Sequence, residues 1–272
     1  MERVLIILPT KDRLEYICTC MEALVGQAGA WDLFVADMNT DGGALRNSWL
    51  FSRILDRLYL RGHSWLVTRI EGNNTMDGAQ TALEFAHDKG HELAVLTDDD
   101  IVLDSGWIAT LQRDHAEHPD ASSIVGMTLL PWMSEQEQMA PHSLLVSRDY
   151  AGEANERFPY WHCTLIPPWK DVRGYEQVYG AFMFKVEHFY EVGGFPLFLS
   201  PAGCRGEQWP MQACRGRGRT LEVDPTVKSW HYSAPTGGLR WMGPDRKAEY
   251  QKADFELFWR WMAKRPTRVE RP

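Results

Sequence analysis

Along the first hundred residues the apolar positions switch between two periods. Short strand-like runs occupy Arg3 to Leu8, Leu33 to Ala36, Trp65 to Ile70 and Leu93 to Leu96. Between them, Leu14 to Val25, Leu45 to Leu60 and Met76 to His87 repeat their apolar residues at helical spacing. This alternation predicts parallel strands joined by right-handed helical crossovers. In such a sheet ligands bind beyond the carboxyl ends of the strands, so the residues that follow each strand matter most.

The rest of the chain is less regular. Leu130 to Tyr160 is rich in Pro, Met, Ser and Glu and predicts a long excursion, with Trp132, Tyr160, Trp161, Trp169 and Tyr175 in or just beyond it. A helix is expected near Ser105, and Val223 to Tyr232 reads as an alternating strand that brings His231 to its end. Gly237 to Gly243 is suited to a lid. Arg246 to Lys264 has helical spacing, with Phe255, Phe258, Trp259 and Met262 placed to pack on the domain. Because these aromatic residues are interleaved with Arg260, Lys264 and Arg265, peripheral contact with a membrane surface is a second expectation for this helix.

Composition narrows the class. A chain of 272 residues with 44% hydrophobic content can build one large α/β domain. No apolar run approaches the roughly 18 residues of a membrane span, and the start is too short for a signal peptide. Five cysteines, an odd number without paired zinc-ligand spacing, fit free thiols in the cytoplasm. A net charge of −8 argues against a protein that coats nucleic acid.

Three strand ends carry polar residues suited to one ligand. They are Pro9-Thr10-Lys11-Asp12-Arg13, then Asp37-Met38-Asn39-Thr40-Asp41-Gly42-Gly43, then Thr97-Asp98-Asp99-Asp100. Each is ordinary turn chemistry alone, but all three fall at the same sheet edge. The aspartate run is the strongest signal, because adjacent anions between two apolar triplets repel one another and call for a cation. If the run is extended, Asp98 and Asp100 point to one side and form a metal-binding DxD pair. Removing Asp100 should then relieve repulsion and leave the metal-free protein no less stable.

These segments, with Tyr179-Gly180-Ala181-Phe182-Met183-Phe184 and Glu191-Val192-Gly193-Gly194-Phe195, resemble glycosyltransferase family 2 and its GT-A relatives over roughly residues 3 to 232. The resemblance implies a single Rossmann-like GT-A domain over residues 1–232, with a mostly parallel central sheet flanked by helices. Residues 1–104 would bind the nucleotide sugar, 105–232 would shape the acceptor side, and 233–272 would supply the lid and a C-terminal helix. Thr10, Arg13 and Asp37 would line the nucleoside pocket beside Asn39 and Asp99, with Asp37 on the base. Asp98 would face the ribose or the metal, Asp100 would be the firmest ligand to Mn²⁺ or Mg²⁺, and His231 would complete the sphere. The donor implied is a UDP-sugar.

Cys204-Arg205-Gly206-Glu207-Gln208-Trp209 stands where relatives carry Gly-Glu-Asp-Trp. Glutamine cannot act as a base, so Glu207 is the candidate base of an inverting reaction, with capping of the next helix as its alternative role. Trp161, Gly180 and Trp209 are candidates for the acceptor side. A further departure is Gly78-Ala79-Gln80-Thr81 in place of an arginine-asparagine pair that meets the diphosphate in many relatives. Arg205, Arg215 or Lys228 could supply positive charge instead. The acceptor is not readable: glycan, lipid-linked sugar, metabolite, protein and modified nucleic-acid base all remain. Two rival classes are a nucleotidyltransferase, whose glycine-rich loop is lacking, and a sugar-binding module without catalysis.

Overall fold

The computed structural model describes residues 3–72, 74–129, 131, 180–232, 234, 235, 237, 242–264 and 266–272. The first half runs β1 (Val4–Thr10), α1 (Leu14–Val25), β2 (Trp31–Asp37), α2 (Trp49–Leu60), β3 (Trp65–Arg69), α3 (Thr75–Asp88) and β4 (Leu93–Leu96). Then come β5 (Ile101–Leu103), α4 (Trp107–Glu117), β6 (Ala121–Leu129), β7 (Phe182–Lys185), α5 (Val186–Glu191), α6 (Gln208–Gly216), β8 (Thr220–His231) and α7 (Pro244–Met262).

The strands form one sheet in the order β3-β2-β1-β4-β7-β6-β8-β5. The pairs β3–β2, β2–β1, β1–β4 and β6–β8 are parallel, whereas β4–β7, β7–β6 and β8–β5 are antiparallel. The four strands expected in the first hundred residues are therefore the parallel half. Their carboxyl ends share one edge, which brings together the residues after Thr10, Asp37, Arg69 and Leu96.

Helices cover both faces. In β1, Leu5 and Ile7 join a core built with α3, α5, α6 and α7, while Val4, Ile6 and Leu8 join another built with α1, α2 and α4. Such two-sided burial explains why β1 reads as a continuous apolar run. Gly78 lets α3 lie close on β2, since a Cβ there would stand 2.7 Å from Cβ of Ala36. Asn74 and Asp77 close a capping box at the start of α3. The second helix begins at Trp49 and not at Leu45, because the Ser48 side chain accepts from the Phe51 N–H and fixes the start there.

α7 corrects the membrane expectation for the C-terminal helix. Phe258 and Trp261 are buried in the core, and Trp261 stacks on Trp209 with ring centroids 4.3 Å apart. Phe255 and Trp259 lie under the guanidinium of Arg205. The aromatic face that could enter a bilayer is occupied by packing. Among the described residues, no helix is long and apolar enough to cross a membrane. The excursion, with Trp132, Tyr160, Trp161, Cys163, Trp169, Tyr175 and Tyr179, lies outside the described residues, as does most of the expected lid.

Candidate active site

At the common strand edge the chain ties its loops together with polar side chains. Asp12 takes the left-handed conformation (φ 55°), one that Asp tolerates better than most residues. Its carboxylate accepts from the Thr40 N–H at 2.6 Å and the Thr40 hydroxyl at 2.7 Å, joining the loop after β1 to that after β2. Its own N–H donates to Asn39 Oδ1. Asn39 in turn donates to Asp37 Oδ1 from its backbone N–H at 3.0 Å and from Nδ2 at 2.7 Å. Asn39 is thus committed to holding the loops and orienting Asp37. Asp37 Oδ2 accepts no hydrogen bond among the described residues, which leaves that oxygen for a ligand.

Arg69, the last residue of β3, approaches Asp37 Oδ1 at 3.5 Å and donates to the Asn39 carbonyl. An arginine at the carboxyl end of the third parallel strand is the sequence signal for this contact.

The aspartate run is a turn and not an extended segment, closed by the Ile101 N–H on the Asp98 carbonyl at 3.2 Å. Two of its side chains converge on Arg13 Nη1. Asp99 is buried, accepting from the Thr10 hydroxyl at 2.7 Å and from Arg13 Nη1 at 2.8 Å. Asp100 Oδ2 accepts from the Ala234 N–H at 2.8 Å and from Arg13 at 3.3 Å, while its Oδ1 lies 3.3 Å from His231 Nε2. Asp98 is only partly buried and has no hydrogen-bond donor among the described residues. Thr10 and Arg13 therefore brace the acidic turn, and Arg13 is no loose surface residue.

Charge and burial set the titration of these groups. Burial, reinforced by Asp100, pushes Asp98 above the usual carboxylate range. Burial likewise raises Asp99 to about 6, against the pull of Arg13 and Thr10. For Asp100 burial is outweighed by the hydrogen bond and charge of His231, by Arg13 and by the Ala234 N–H, which hold it at about 2. His231, lowered by burial, is raised overall by Asp100.

This pairing bears on two expectations. Among the described residues no group of three or more His, Cys, Asp or Glu stands arranged for a metal, and His231 Nε2 lies directly on Asp100 Oδ1. His231 is thus the partner that orients Asp100. Asp100 also gains native interactions, so its removal should destabilise the metal-free protein. A divalent cation would suit the donor set, because Asp98 and Asp100, two positions apart, offer hard carboxylate oxygens and Asp98 repels Asp100.

Glu207 sits just ahead of α6 and makes no side-chain cap with that helix. Its capping role is therefore absent. Burial and the nearby charge of Asp98 raise its carboxyl to about 7. Gln208 is fully buried and accepts from Arg205 Nη1 at 2.8 Å. Arg205 is buried against Phe255, Phe258 and Trp259, and Arg215 donates to Gln212 at 3.1 Å. Of the acceptor candidates, Trp209 is fully buried among Phe198, Phe258 and Trp261, a correction that makes it core. Gly180 has φ +80°, and a Cβ there would meet Thr128 Oγ1 at 2.3 Å. Trp161 lies outside the described residues. In α3, Gln80 accepts from the Phe195 N–H at 2.7 Å and Gly78 packs on the sheet, so the segment that departs from relatives serves packing.

No protein-family model matches the chain, and no curated protein matches it by sequence. Solved structures do match. A mannosyltransferase from Pyrobaculum calidifontis, PcManGT, solved with GDP-Man and Mn²⁺, superposes with a TM-score of 0.62 at 18% identity. The match covers 100% of this chain and 66% of PcManGT. TarS of S. aureus superposes with a TM-score of 0.59 at 14% identity, covering 86% of this chain and 37% of TarS. The fold is a GT-A-like glycosyltransferase fold. Within the GT-A-like fold, the bracing by Thr10 and Arg13, the Asp37–Asn39–Arg69 cluster and the turn at Asp98–Asp100 line one edge. Glu207 lies within electrostatic reach of Asp98.

Proposed function

We propose that the chain is a metal-dependent, inverting glycosyltransferase that moves a sugar from a UDP-sugar to a hydroxyl acceptor. The observation that supports this reading is that Glu207, a carboxylate without a capping role, is raised by burial and by the charge of Asp98 in a GT-A-like fold. The neighbours lend support: PcManGT was solved with GDP-Man and Mn²⁺, and a TarS fragment with UDP-GlcNAc.

In this reading Asp37 Oδ2 accepts an N–H of the base, with Asn39 and Arg69 holding the carboxylate in place. Thr10 and Arg13 fix Asp99 and keep the turn in position. Asp98 and Asp100 would hold Mn²⁺ or Mg²⁺, with His231 orienting Asp100. When bound, that cation supplies Lewis-acid neutralisation of the departing diphosphate. Glu207 accepts the proton of the acceptor hydroxyl as its oxygen bonds to the anomeric carbon and the bond to the diphosphate oxygen breaks. A base with a pKa near 7 is well matched to that proton transfer.

A thermal-shift panel of UDP- and GDP-sugars, each with and without Mn²⁺, tests the donor assignment. A ligand at a hundredfold its dissociation constant stabilises by about 2.7 kcal/mol, so a UDP-sugar should raise the melting temperature only with the metal present. A panel in which no nucleotide sugar shifts the transition would reject the reading.

A further inference from the structure

Among the described residues, the surface formed by α2 and β3 carries most of the exposed large apolar side chains. Trp49 is 71% exposed, Tyr59 73%, Leu60 82% and Trp65 44%, and Leu50 is exposed beside them. At about 100° per residue, Trp49, Arg53, Asp56 and Leu60 share one ridge of α2, opposite the buried Phe51, Ile54, Leu55 and Leu58. β3 is the edge of the sheet, and Trp65 lies on the same sheet face as Val67, which packs toward α2.

Charge is concentrated here as well. Residues 44–69 hold Arg46, Arg53, Arg57, Arg61 and Arg69 against Asp56, and with Glu22 and Asp37, which pair with two of these arginines, the face keeps an excess of two positive charges in a chain of net −8. All five arginines are exposed. The acidic groups that meet them are Asp56 on Arg53 at 3.0 Å, Glu22 of α1 on Arg57, and Asp37 on Arg69. Arg61 donates to the Val25 carbonyl, and Arg46 has no ion pair among the described residues.

We infer that this α2–β3 face docks on the surface of an anionic lipid bilayer. Aromatic and aliphatic side chains interleaved with arginines are the pattern of interfacial binding: rings and leucines enter the headgroup boundary while guanidinium groups meet lipid phosphates. A second copy of the chain is disfavoured as the occupant, since a two-fold contact would set this positive face against itself. Nucleic acid would satisfy the arginines but leave Leu50 and Leu60 against phosphates. A bilayer accommodates both kinds of side chain. The inference is independent of the transfer reaction, because none of Trp49, Leu60, Arg46 and Arg53 belongs to the candidate active site.

Co-sedimentation of the full chain with phosphatidylcholine vesicles, with and without phosphatidylglycerol, tests it. Binding is expected only to the anionic vesicles and should weaken as salt rises. Trp49→Ala/Leu60→Ala should weaken binding at least about tenfold, and Arg46→Ala and Arg53→Ala about fivefold each. Their thermal melts should match the parent because all four side chains are exposed. No preference for anionic vesicles, or undiminished binding by these variants, would overturn the inference. So would a dimer in sedimentation velocity that the double variant dissociates, or oligonucleotide binding lost in the same variants.

Discussion

Asp100 and Glu207 both interact with the charge of Asp98, yet their surroundings drive them in opposite directions. Asp100 is held near 2 by partners, so it stabilises the fold above the ordinary value of 3.8, and that contribution is lost as the pH falls through about 2. Asp100→Ala should therefore lower metal-free stability by about 2 kcal/mol at pH 7, read by urea denaturation; an unchanged midpoint would show that His231 and Arg13 do not hold it. Glu207 is raised to about 7. Its folded form keeps a proton that the unfolded chain releases near 4.5, so stability declines as the pH rises from 4.5 through about 7. Glu207→Gln removes that cost. The variant should gain on the order of 2 kcal/mol at pH 8 without metal while its transfer slows by about 10² to 10⁴ with donor binding kept. A variant that is slow but no more stable would mean that Glu207 is not held in a desolvated, negatively charged setting. Proton NMR of the product supplies the stereochemical check, since a retained anomeric centre would refute the base role. At this scale the acidic run, Asp37 and Glu207 were legible, because each is an unusual residue at a strand or helix end. Arg69, Asp12 with Thr40, and the Ala234 N–H were not, since their importance arises only when separate loops meet.

Among the elements, α7 controls the loop that delivers Glu207. Asp254 on its inner face accepts from the Ser200 N–H at 2.8 Å, the Ser200 hydroxyl at 2.8 Å and the Cys204 N–H at 2.9 Å. Asp254→Ala leaves these donors without their acceptor in a mostly buried setting. A loss of about 2 to 3 kcal/mol is expected by chemical denaturation, together with slower transfer as Glu207 loses its anchor; full activity in the variant would detach α7 from the site. The parallel strands and their helices were legible because two-sided burial and helical spacing leave unmistakable periods. The antiparallel β5, β6 and β7 were not. β5 and β7 are only three and four residues long, and Ala121–Leu129 mixes Ser, Thr and Gly into its apolar positions. The fate of the aromatic residues on α7 was also hidden, since a helical stripe of aromatics looks alike whether it faces a core or a bilayer.

For the whole molecule, the order of strands matters more than any single motif. The parallel quartet brings the residues after β1, β2, β3 and β4 to one edge, and the loop before α6 is tied to the start of α3 through the Ser200 carbonyl, which accepts from Asn74 at 3.1 Å, while Glu207 feels the charge of Asp98. The central claim is metal-assisted departure of a nucleoside diphosphate from a sugar. Its most direct test is the release of UDP from UDP-sugars by the parent and by Asp100→Ala, with Mn²⁺ and with a chelator. The account predicts release by the parent only with the metal, and loss of that release in Asp100→Ala at a temperature where the variant remains folded. Release that persists unchanged in the chelator or in the folded variant would contradict it.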